Sequence, residues 1–342
     1  MRAALLEHVG RMVMVDLEQP AIHKPDEILI RTKTVGVCGS EVHAFHGTHP
    51  YRKAPVILGH EAAGDVVAVG NAIKEFKVGD RVIVDPQWTC GECEYCQRGD
   101  INLCPSKKVL GTANWQGAFG EYFVAPEGAV FHLPPNLSYA QGSLIEPLMV
   151  GVHVARRANL QAGESVAILG AGSIGGLLSG VCHAQGAKTI IAADIKQHCL
   201  DIARERLGAT HDFHLPDANI VEKIKRVTDG GVDVVFITAD DGSLVNLGIE
   251  IAKRRGRIVL VALLTEALLQ FAAYPIISKE LQIVGSLMSS KADVQKAIDL
   301  AASSQVDVEA IAMHRLPIEQ VQEGMELALT KDDGAIKVIL EF

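Results

Sequence analysis

A glycine-rich turn between an apolar strand and an amphipathic helix limits the fold of this chain more than any other feature. The hexapeptide Gly170-Ala171-Gly172-Ser173-Ile174-Gly175 follows the apolar run Ser165–Leu169 and opens a helical pattern. In such a turn the first glycine permits the tight bend, the second admits a pyrophosphate, and the third lets the helix pack closely on the strand. A turn that only packs is the simpler alternative, but the strand and helix on either side favour nucleotide binding at the helix N-terminus. We expect five residues to take part: Gly170, Gly172, Ser173, Ile174 and Gly175.

Strand-like and helical runs alternate around this turn. The apolar strand-like runs are Ser165–Leu169, Lys188–Ala193, Val232–Ile237 and Arg257–Val261. This alternation predicts an α/β fold with a doubly wound parallel sheet. Asp194 ends the second strand, where a carboxylate can accept both ribose hydroxyls and repel the extra phosphate of NADP. The sequence therefore predicts NAD as cofactor, with Lys196 as a nearby cation that would soften the preference.

The first 140 residues and the last 60 differ from this central region. Short β-type runs such as Glu27–Lys33, Asp65–Val69 and Arg81–Val84 predict an irregular, mostly β domain at the start. We interpret the charged stretch Lys253–Arg257 as a solvated helix end. Beyond the apolar run 281–284, two helical patterns and a last strand predict a return to the first domain, at 292–303, 318–329 and 336–340. The expected domains are 1–150, 151–285 and a return over 286–342.

Four cysteines lie close together in the first domain. Cys90, Cys93, Cys96 and Cys104 form a C-x2-C-x2-C-x7-C pattern, which can close a tetrahedral thiolate shell around one Zn²⁺. The alternatives are a disulfide pair, unrelated core cysteines and an iron–sulfur cluster, whose common cysteine spacings differ. We expect a structural zinc lobe over about 86–106.

Composition excludes several classes of partner. The chain has 342 residues, 48% of them hydrophobic, and a formal net charge of −9. That charge gives no electrostatic footprint for nucleic acid or an anionic membrane. Residues 1–10 do not form a signal-peptide core, and no apolar run reaches membrane-spanning length. We expect a cytoplasmic protein whose partner is a small molecule.

Three further segments carry residues that can bind a metal. Cys38 lies in Gly36–Ser40, His60 and Glu61 follow Gly59, and Glu146 precedes a proline. Taken singly these residues prove little, because a lone cysteine is usually a small core residue and Glu61 could be a surface carboxylate.

The order of these motifs resembles that of the zinc-dependent medium-chain dehydrogenases. Gly36–Ser40, Gly59–Glu61, the four cysteines, Leu144–Pro147 and Gly170–Gly175 occur in the family's order. The chain looks most similar to the cluster of sorbitol, threonine and butanediol dehydrogenases. The resemblance implies a GroES-like catalytic domain, a Rossmann domain, a cleft between them and a dimer or tetramer. It also implies a second, catalytic zinc bound by Cys38, His60 and Glu61, with water, substrate or Glu146 completing the shell.

The resemblance also implies a reaction. Zinc lowers the pKa of a bound alcohol by many units, so that hydride can leave for NAD⁺. Ser40 can take the alcohol proton, and His43 can relay it toward solvent because an imidazole titrates near neutral pH. His43 could equally be a surface histidine by position alone, and only the family pattern favours the relay.

The substrate is less constrained. Sorbitol-type enzymes usually carry an Arg and a Tyr after the last Rossmann strand, where this chain reads Gly285-Ser286-Leu287-Met288-Ser289-Ser290. The loop Thr48–Arg52 could present Tyr51 or Arg52 to a hydroxyl, carboxylate or phosphate. We expect a secondary alcohol, either a polyol or a diol. The alternatives are threonine 3-dehydrogenase, a sugar-phosphate dehydrogenase, and a zinc- and NAD-binding protein without turnover.

Overall fold

The chain folds as two units, seen in a computed structural model that describes residues 1–264 and 268–342. Unit 1 comprises Met1–Glu146, Ser290–Ala302 and Ala312–Phe342, and unit 2 comprises Pro147–Ser289 and Ser303–Ile311. Residues 147–150, expected in the first domain, and residues 286–289 and 303–311, expected in the C-terminal return, therefore belong to unit 2. Among the described residues, none of the helices combines the length and apolarity needed to cross a bilayer.

The strands and helices are numbered here in chain order. The strands are β1 (Arg2–His8), β2 (Arg11–Asp16), β3 (Glu27–Gly36), β4 (Val56–Ile57), β5 (Glu61–Val69), β6 (Arg81–Val84), β7 (Gln87–Trp88), β8 (Lys108–Val109), β9 (Tyr122–Pro126), β10 (Val130–His132), β11 (Ser165–Leu169), β12 (Thr189–Asp194), β13 (His211–His214), β14 (Val232–Ile237), β15 (Ala252–Leu260), β16 (Gln282–Gly285), β17 (His314–Pro317) and β18 (Val338–Glu341). The helices are α1 (Gly39–Phe45), α2 (Glu94–Arg98), α3 (Tyr139–Ser143), α4 (Ile145–Arg157), α5 (Ser173–Ala184), α6 (Gln197–Glu205), α7 (Ile220–Val227), α8 (Ser243–Ile251), α9 (Ala273–Lys279), α10 (Lys291–Ala302) and α11 (Val321–Thr330).

Unit 1 is mostly β, as the sequence predicted. Its largest sheet has the order β10-β6-β5-β3-β18-β17, with β9 also paired to β3, and a smaller sheet has the order β2-β1-β4. Strand β3 lies at the centre of the larger sheet, and Ile28, Ile30 and Val35 are buried in the core. The last strand of the chain, β18, runs antiparallel to β3. The C-terminal strand therefore lies beside the end of β3, next to Cys38.

Unit 2 contains the predicted doubly wound sheet. Its six strands are all parallel and have the order β13-β12-β11-β14-β15-β16. All five residues of β11 are buried, as expected of a central strand with helices on both faces. From β11 the chain first adds strands on one side, β12 and β13, and then on the other side, β14 to β16. In such sheets, ligands bind at the carboxyl ends of the strands where this change of direction occurs, next to β11.

One local prediction is wrong. Residues Lys253–Arg257 belong to strand β15 and do not end a helix. Their charged groups are bound at the start of the strand: the Lys253 ammonium lies 3.3 Å from the Asp233 carboxylate, and Arg257 donates to the carbonyl of Ala158 at 2.8 Å. Residues 253–256 lie at an irregularity of the ladder between Ala252 and Arg257, and Arg254 and Arg255 are exposed, so the expected solvation holds for these two side chains.

Candidate metal centres and nucleotide loop

The four-cysteine lobe lies between β7 and β8. The sulfur atoms of Cys90, Cys93, Cys96 and Cys104 all lie within 4.8 Å of one another. The Cys90 sulfur is 3.9 Å from Cys96 and 3.6 Å from Cys104, which is too far for a disulfide. A tetrahedron of thiolates with zinc–sulfur bonds of about 2.3 Å has sulfur–sulfur edges of about 3.8 Å. The spacing therefore fits one zinc ion, whereas an iron–sulfur cluster would need a wider cage.

A second group of metal-binding side chains gathers where β3 and β5 meet. Ligand atoms of Cys38, His60 and Glu61 lie within 4.8 Å of one another. Strands β3 and β5 pair antiparallel with Gly36 opposite Glu61, which brings the end of one strand against the start of the other. A Cβ atom at Gly36 would lie only 2.0 Å from Oε2 of Glu61, so the carboxylate fits because residue 36 is glycine. Thiolate, imidazole and carboxylate are a donor set that zinc accepts.

Glu41 fixes the orientation of His60. Its buried carboxylate lies 2.7 Å from Nδ1 of His60 and also accepts backbone hydrogen bonds from Cys38 at 2.8 Å and Gly59 at 2.7 Å. The proton on Nδ1 is thereby held by Glu41, which leaves Nε2 as the ligand atom of the ring. Burial opposes both charges, but the pKa of Glu41 is lowered and that of His60 raised well above 6.5 because each group stabilises the other.

Lys337 holds the carboxylate of Glu61. Its Nζ atom lies 2.6 Å from Oε1 and 2.8 Å from Oε2 of Glu61, and it also donates to the carbonyl of Val37 at 3.0 Å. Burial alone would lower the pKa of Lys337, but the negative charges of Glu61 and Cys38 outweigh burial and raise it. The ammonium and the carboxylate therefore form a buried ion pair.

Glu146 is buried but does not join the three clustered ligands. In residues 1–264 and 268–342, the group around Cys38 whose ligand atoms lie within 4.8 Å of one another comprises Cys38, His60 and Glu61, without Glu146. Burial raises the pKa of Glu146 to about 7, against the lowering effect of His60. A carboxyl group of this kind can exchange a proton near neutral pH.

The predicted proton-relay residues have partners that the sequence did not suggest. The Arg52 guanidinium donates to Oγ of Ser40 at 2.6 Å and to the carbonyls of Leu110 and Gly111 at 3.2 Å each. Arg52 is only 3% exposed, and its guanidinium also lies 3.4 Å from Nδ1 of His60. Tyr51 is 56% exposed. His43 Nδ1 lies 3.2 Å from Oγ1 of Thr48.

The glycine loop lies at the carboxyl end of β11. Gly170 has φ +108°, and a Cβ there would lie 2.7 Å from the backbone nitrogen of Ala239, so a larger residue would not fit. At Gly175 a Cβ would lie 1.8 Å from the carbonyl oxygen of Gly170. Around Gly172, the residue that precedes α5, a Cβ would meet no atom within 4 Å. The loop thus bends tightly at both ends and leaves open space at the helix N-terminus, as a bound pyrophosphate requires.

The other predicted coenzyme residues flank this loop. Ser173 and Ile174 form the first turn of α5, and Lys196 immediately precedes α6. The Asp194 carboxylate accepts hydrogen bonds from the backbone nitrogens of Ala171 at 2.6 Å and Lys196 at 2.9 Å. Asp194 therefore connects the end of β12 to the glycine loop in addition to any contact with a ribose.

Sequence reasoning missed Glu41, Arg52 as an internal residue, and Lys337. A weak signal existed for two of them: Glu41 follows Cys38 by three residues, and Lys337 interrupts the apolar run Ile336–Leu340. A lysine inside an apolar strand requires a buried partner. Arg52 gave no such signal, because its two carbonyl acceptors, Leu110 and Gly111, lie 58 and 59 residues away in the sequence.

Comparison with known proteins matches both units. The family model for the alcohol dehydrogenase GroES-like domain matches residues 24–135, and that for zinc-binding dehydrogenases matches residues 173–303. Sorbitol dehydrogenase of Bacillus subtilis is 36% identical over 99% of this chain and 97% of its own length. Probable D-xylulose reductase A of Aspergillus clavatus is 33% identical over 94% of this chain and 92% of its own length. A Sinorhizobium meliloti structure described as a zinc-binding dehydrogenase bound to NADP superposes with a TM-score of 0.93 at 30% identity, covering 100% of this chain and 99% of its own.

Proposed function

Because this chain belongs to the zinc-binding dehydrogenases that carry an alcohol dehydrogenase GroES-like domain, we propose that it transfers a hydride between a secondary alcohol and NAD. The observation that carries the proposal is the convergence of Cys38, His60 and Glu61 within 4.8 Å, backed by Glu41 on His60. Zinc ligands are regularly held by such carboxylate partners behind a histidine. The four cysteines would hold a second, structural zinc, giving two zinc ions per chain.

The chain's own residues would move the alcohol proton. Zinc, when bound, supplies the Lewis acidity that makes the proton removable near neutral pH, and NAD⁺ accepts the hydride. Arg52 occupies one lone pair of Ser40 Oγ, which leaves the other lone pair and the hydroxyl proton for the substrate and the relay. Ser40 would accept the alcohol proton and pass its own toward His43. The substrate carbon loses two electrons as hydride, and the proton leaves separately.

The coenzyme assignment rests on Asp194. A carboxylate at the end of β12 accepts ribose hydroxyls and repels a 2′-phosphate, which supports NAD over NADP. Lys196 lies two residues further on and would reduce that repulsion. The Sinorhizobium meliloti relative is bound to NADP, so the test of this assignment compares both coenzymes.

A polyol or diol is the substrate class that the site supports best. This proposal is supported by the names of two relatives, sorbitol dehydrogenase and probable D-xylulose reductase A. The buried guanidinium of Arg52 is already engaged by Ser40, by the carbonyls of Leu110 and Gly111 and by the ring of His60, which supports a neutral substrate over a carboxylate or phosphate. That arrangement makes threonine or a sugar phosphate a poorer substrate than a neutral polyol.

We also propose that the chain forms a homo-oligomer, a dimer or a tetramer. Strand β16 is an edge strand of the six-stranded sheet and exposes Ile283. Helix α9, which packs against β15 and α8, exposes Tyr274 and Ile277. Open strand edges with apolar neighbours are usually covered in the native assembly. Light scattering of the purified protein should give a mass of two or four chains.

The test of the function is a substrate panel. Purified, zinc-replete protein is mixed with NAD⁺ and, separately, polyols, diols, threonine and sugar phosphates, and NADH fluorescence is followed. We expect turnover with at least one polyol or diol and a slower reaction with NADP⁺. A protein that carries two zinc ions and binds NADH but reduces no coenzyme with any alcohol would refute the proposal and favour a binding protein without turnover.

A further inference from the structure

The three ammonium hydrogens of Lys337 can all donate hydrogen bonds within the candidate metal centre. It is 3% exposed and bonds to both oxygens of Glu61 and to the carbonyl of Val37. Val37 immediately precedes Cys38, so one ammonium connects two of the three proposed ligands. Lys337 is not itself a metal-binding residue, since an ammonium has no lone pair to donate.

The pairing of strands explains how the end of the chain reaches this position. Strand β18 pairs antiparallel with β3, with Ile339 opposite Gly36, and the backbone nitrogen of Val37 donates to the carbonyl of Val338 at 2.9 Å. This register places Lys337 level with the residues that lead into Cys38. The contact between Lys337 and Glu61 joins residues 276 positions apart in the sequence.

Glu61 is confined on two sides. On one side its Oε2 occupies the space that a side chain at position 36 would fill, and on the other both oxygens face Lys337. The carboxylate has 0% exposure, so water does not replace a lost partner. Removing one member of a buried ion pair leaves the other charge uncompensated, which is strongly unfavourable.

We propose that Lys337 is a positioning residue that directs Glu61 toward the metal held with Cys38 and His60, so that the residue immediately before strand β18 completes the metal centre. This inference rests on the ligand set in the proposed function. Repulsion between the ammonium and a divalent ion acts in the opposite direction. Orientation prevails because Glu61 without Lys337 would lose the donor that both of its oxygens face, and its buried carboxylate would no longer be held in the direction of the metal.

The test measures zinc affinity and does not depend on activity. Apo protein is titrated with zinc against a chelator of known affinity, for the wild type, Lys337→Met and Lys337→Gln. We expect Lys337→Met to weaken zinc at this centre by roughly 10- to 100-fold, the range typical of lost outer-shell partners. In Lys337→Gln the amide can still donate to Glu61, so zinc affinity should fall less than in Lys337→Met. This variant also tests the inference if Lys337→Met does not fold. Zinc in the four-cysteine lobe should bind unchanged in every variant.

A double-mutant cycle separates positioning from general damage. In the Glu61→Gln background, Lys337→Met should weaken zinc by no more than about threefold, because its target is already altered. Lys33→Met is the matched control, since Lys33 pairs with Asp65 at 3.6 Å on the same sheet away from the ligands. Unchanged or tighter zinc binding in Lys337→Met would overturn the inference, as would an undiminished loss in the Glu61→Gln background. A wild-type protein that takes up only the lobe zinc would instead refute the ligand set of the proposed function.

Discussion

The backbone nitrogen of Ala171 donates a 2.6 Å hydrogen bond to Oδ2 of Asp194, which ties the glycine loop to the end of β12. Asp194 thus has a structural partner in the loop besides its proposed ribose contact. A substitution at this position should change the shape of the coenzyme site as well as its charge.

We therefore expect Asp194→Ser to alter both coenzyme preference and coenzyme affinity. Loss of the ribose acceptor and of the loop contact should weaken NAD binding roughly tenfold or more, since a hydrogen bond to a charged group contributes about 1.5–3 kcal/mol. Relative use of NADP should rise, because repulsion of its extra phosphate is removed. Steady-state kinetics with NAD and NADP measure both changes. Asp201→Ser on α6 is the control. An unchanged preference ratio would mean that Asp194 does not face the ribose.

Glu41→Gln should loosen the proposed catalytic zinc. An amide has a single oxygen acceptor, so it cannot replace a carboxylate that accepts from Cys38, Gly59 and His60. We expect zinc affinity at this centre to fall by roughly 10- to 100-fold and unfolding free energy to fall by about 1–3 kcal/mol. Chelator competition and urea unfolding measure the two effects, with the exposed Glu323→Gln as control. Zinc affinity equal to the wild type would show that His60 needs no partner.

The sequence predicted features that depend on neighbouring residues and missed those that depend on distant ones. Gly170 and Gly175 adopt their tight geometry because of contacts within a few residues and one adjacent strand, which the motif encodes. The parallel sheet follows from the alternation of apolar runs with helices. The structure and the family matches confirm both the mostly β, GroES-like domain and the doubly wound parallel sheet.

Long-range polar contacts could not be predicted. Arg52 reads as an exposed loop cation, but the carbonyl groups of residues 110 and 111 bind its guanidinium inside unit 1, next to Ser40 and His60. The run Lys253–Arg257 reads as a solvated helix end, but it lies in β15, where Asp233 binds Lys253 and the carbonyl of Ala158 binds Arg257. Arg254 and Arg255 are exposed, as the sequence predicted. The role of Lys337 depends on the pairing of the first and last parts of the chain. Such contacts cannot be derived from spacing along one sequence.

Asp85 should make the stability of unit 1 fall as pH rises. Burial raises the pKa of this carboxyl from 3.8 to about 7, so between these values it is protonated in the folded state and ionised in the unfolded state. Its contribution is fully present below pH 3.8 and is lost as pH rises through about 7. Relative to Asp85→Asn, the free energy of unfolding of the wild type should fall by about 1.4 kcal/mol per pH unit between roughly pH 5 and 7.

Both tryptophans, Trp88 and Trp115, lie in unit 1, so urea unfolding followed by their fluorescence reports on the stability of this unit. A difference that is constant with pH would show that Asp85 is ionised in the folded protein.

The two proposed zinc ions should differ in how easily they are removed. Four thiolates close the shell in the lobe, whereas a catalytic zinc keeps an exchangeable position. Mild chelation should therefore remove one zinc per chain and abolish turnover while thermal unfolding changes little. Elemental analysis of the dialysed protein, together with an activity assay, follows both effects. Loss of the lobe zinc first, with activity intact, would reverse our assignment of the two sites.

The most direct test of a metal-dependent hydride transfer compares coenzyme binding and turnover in Cys38→Ser. Cys199→Ser, a buried thiol in unit 2, is the matched control. Cys38→Ser should lose one zinc per chain and several orders of magnitude in turnover, yet bind NADH and unfold almost as the wild type does, because the two cores and the lobe maintain the fold. If Cys38→Ser instead reduces NAD⁺ with the same alcohols at a near-normal rate, the cluster of Cys38, His60 and Glu61 is not the catalytic centre.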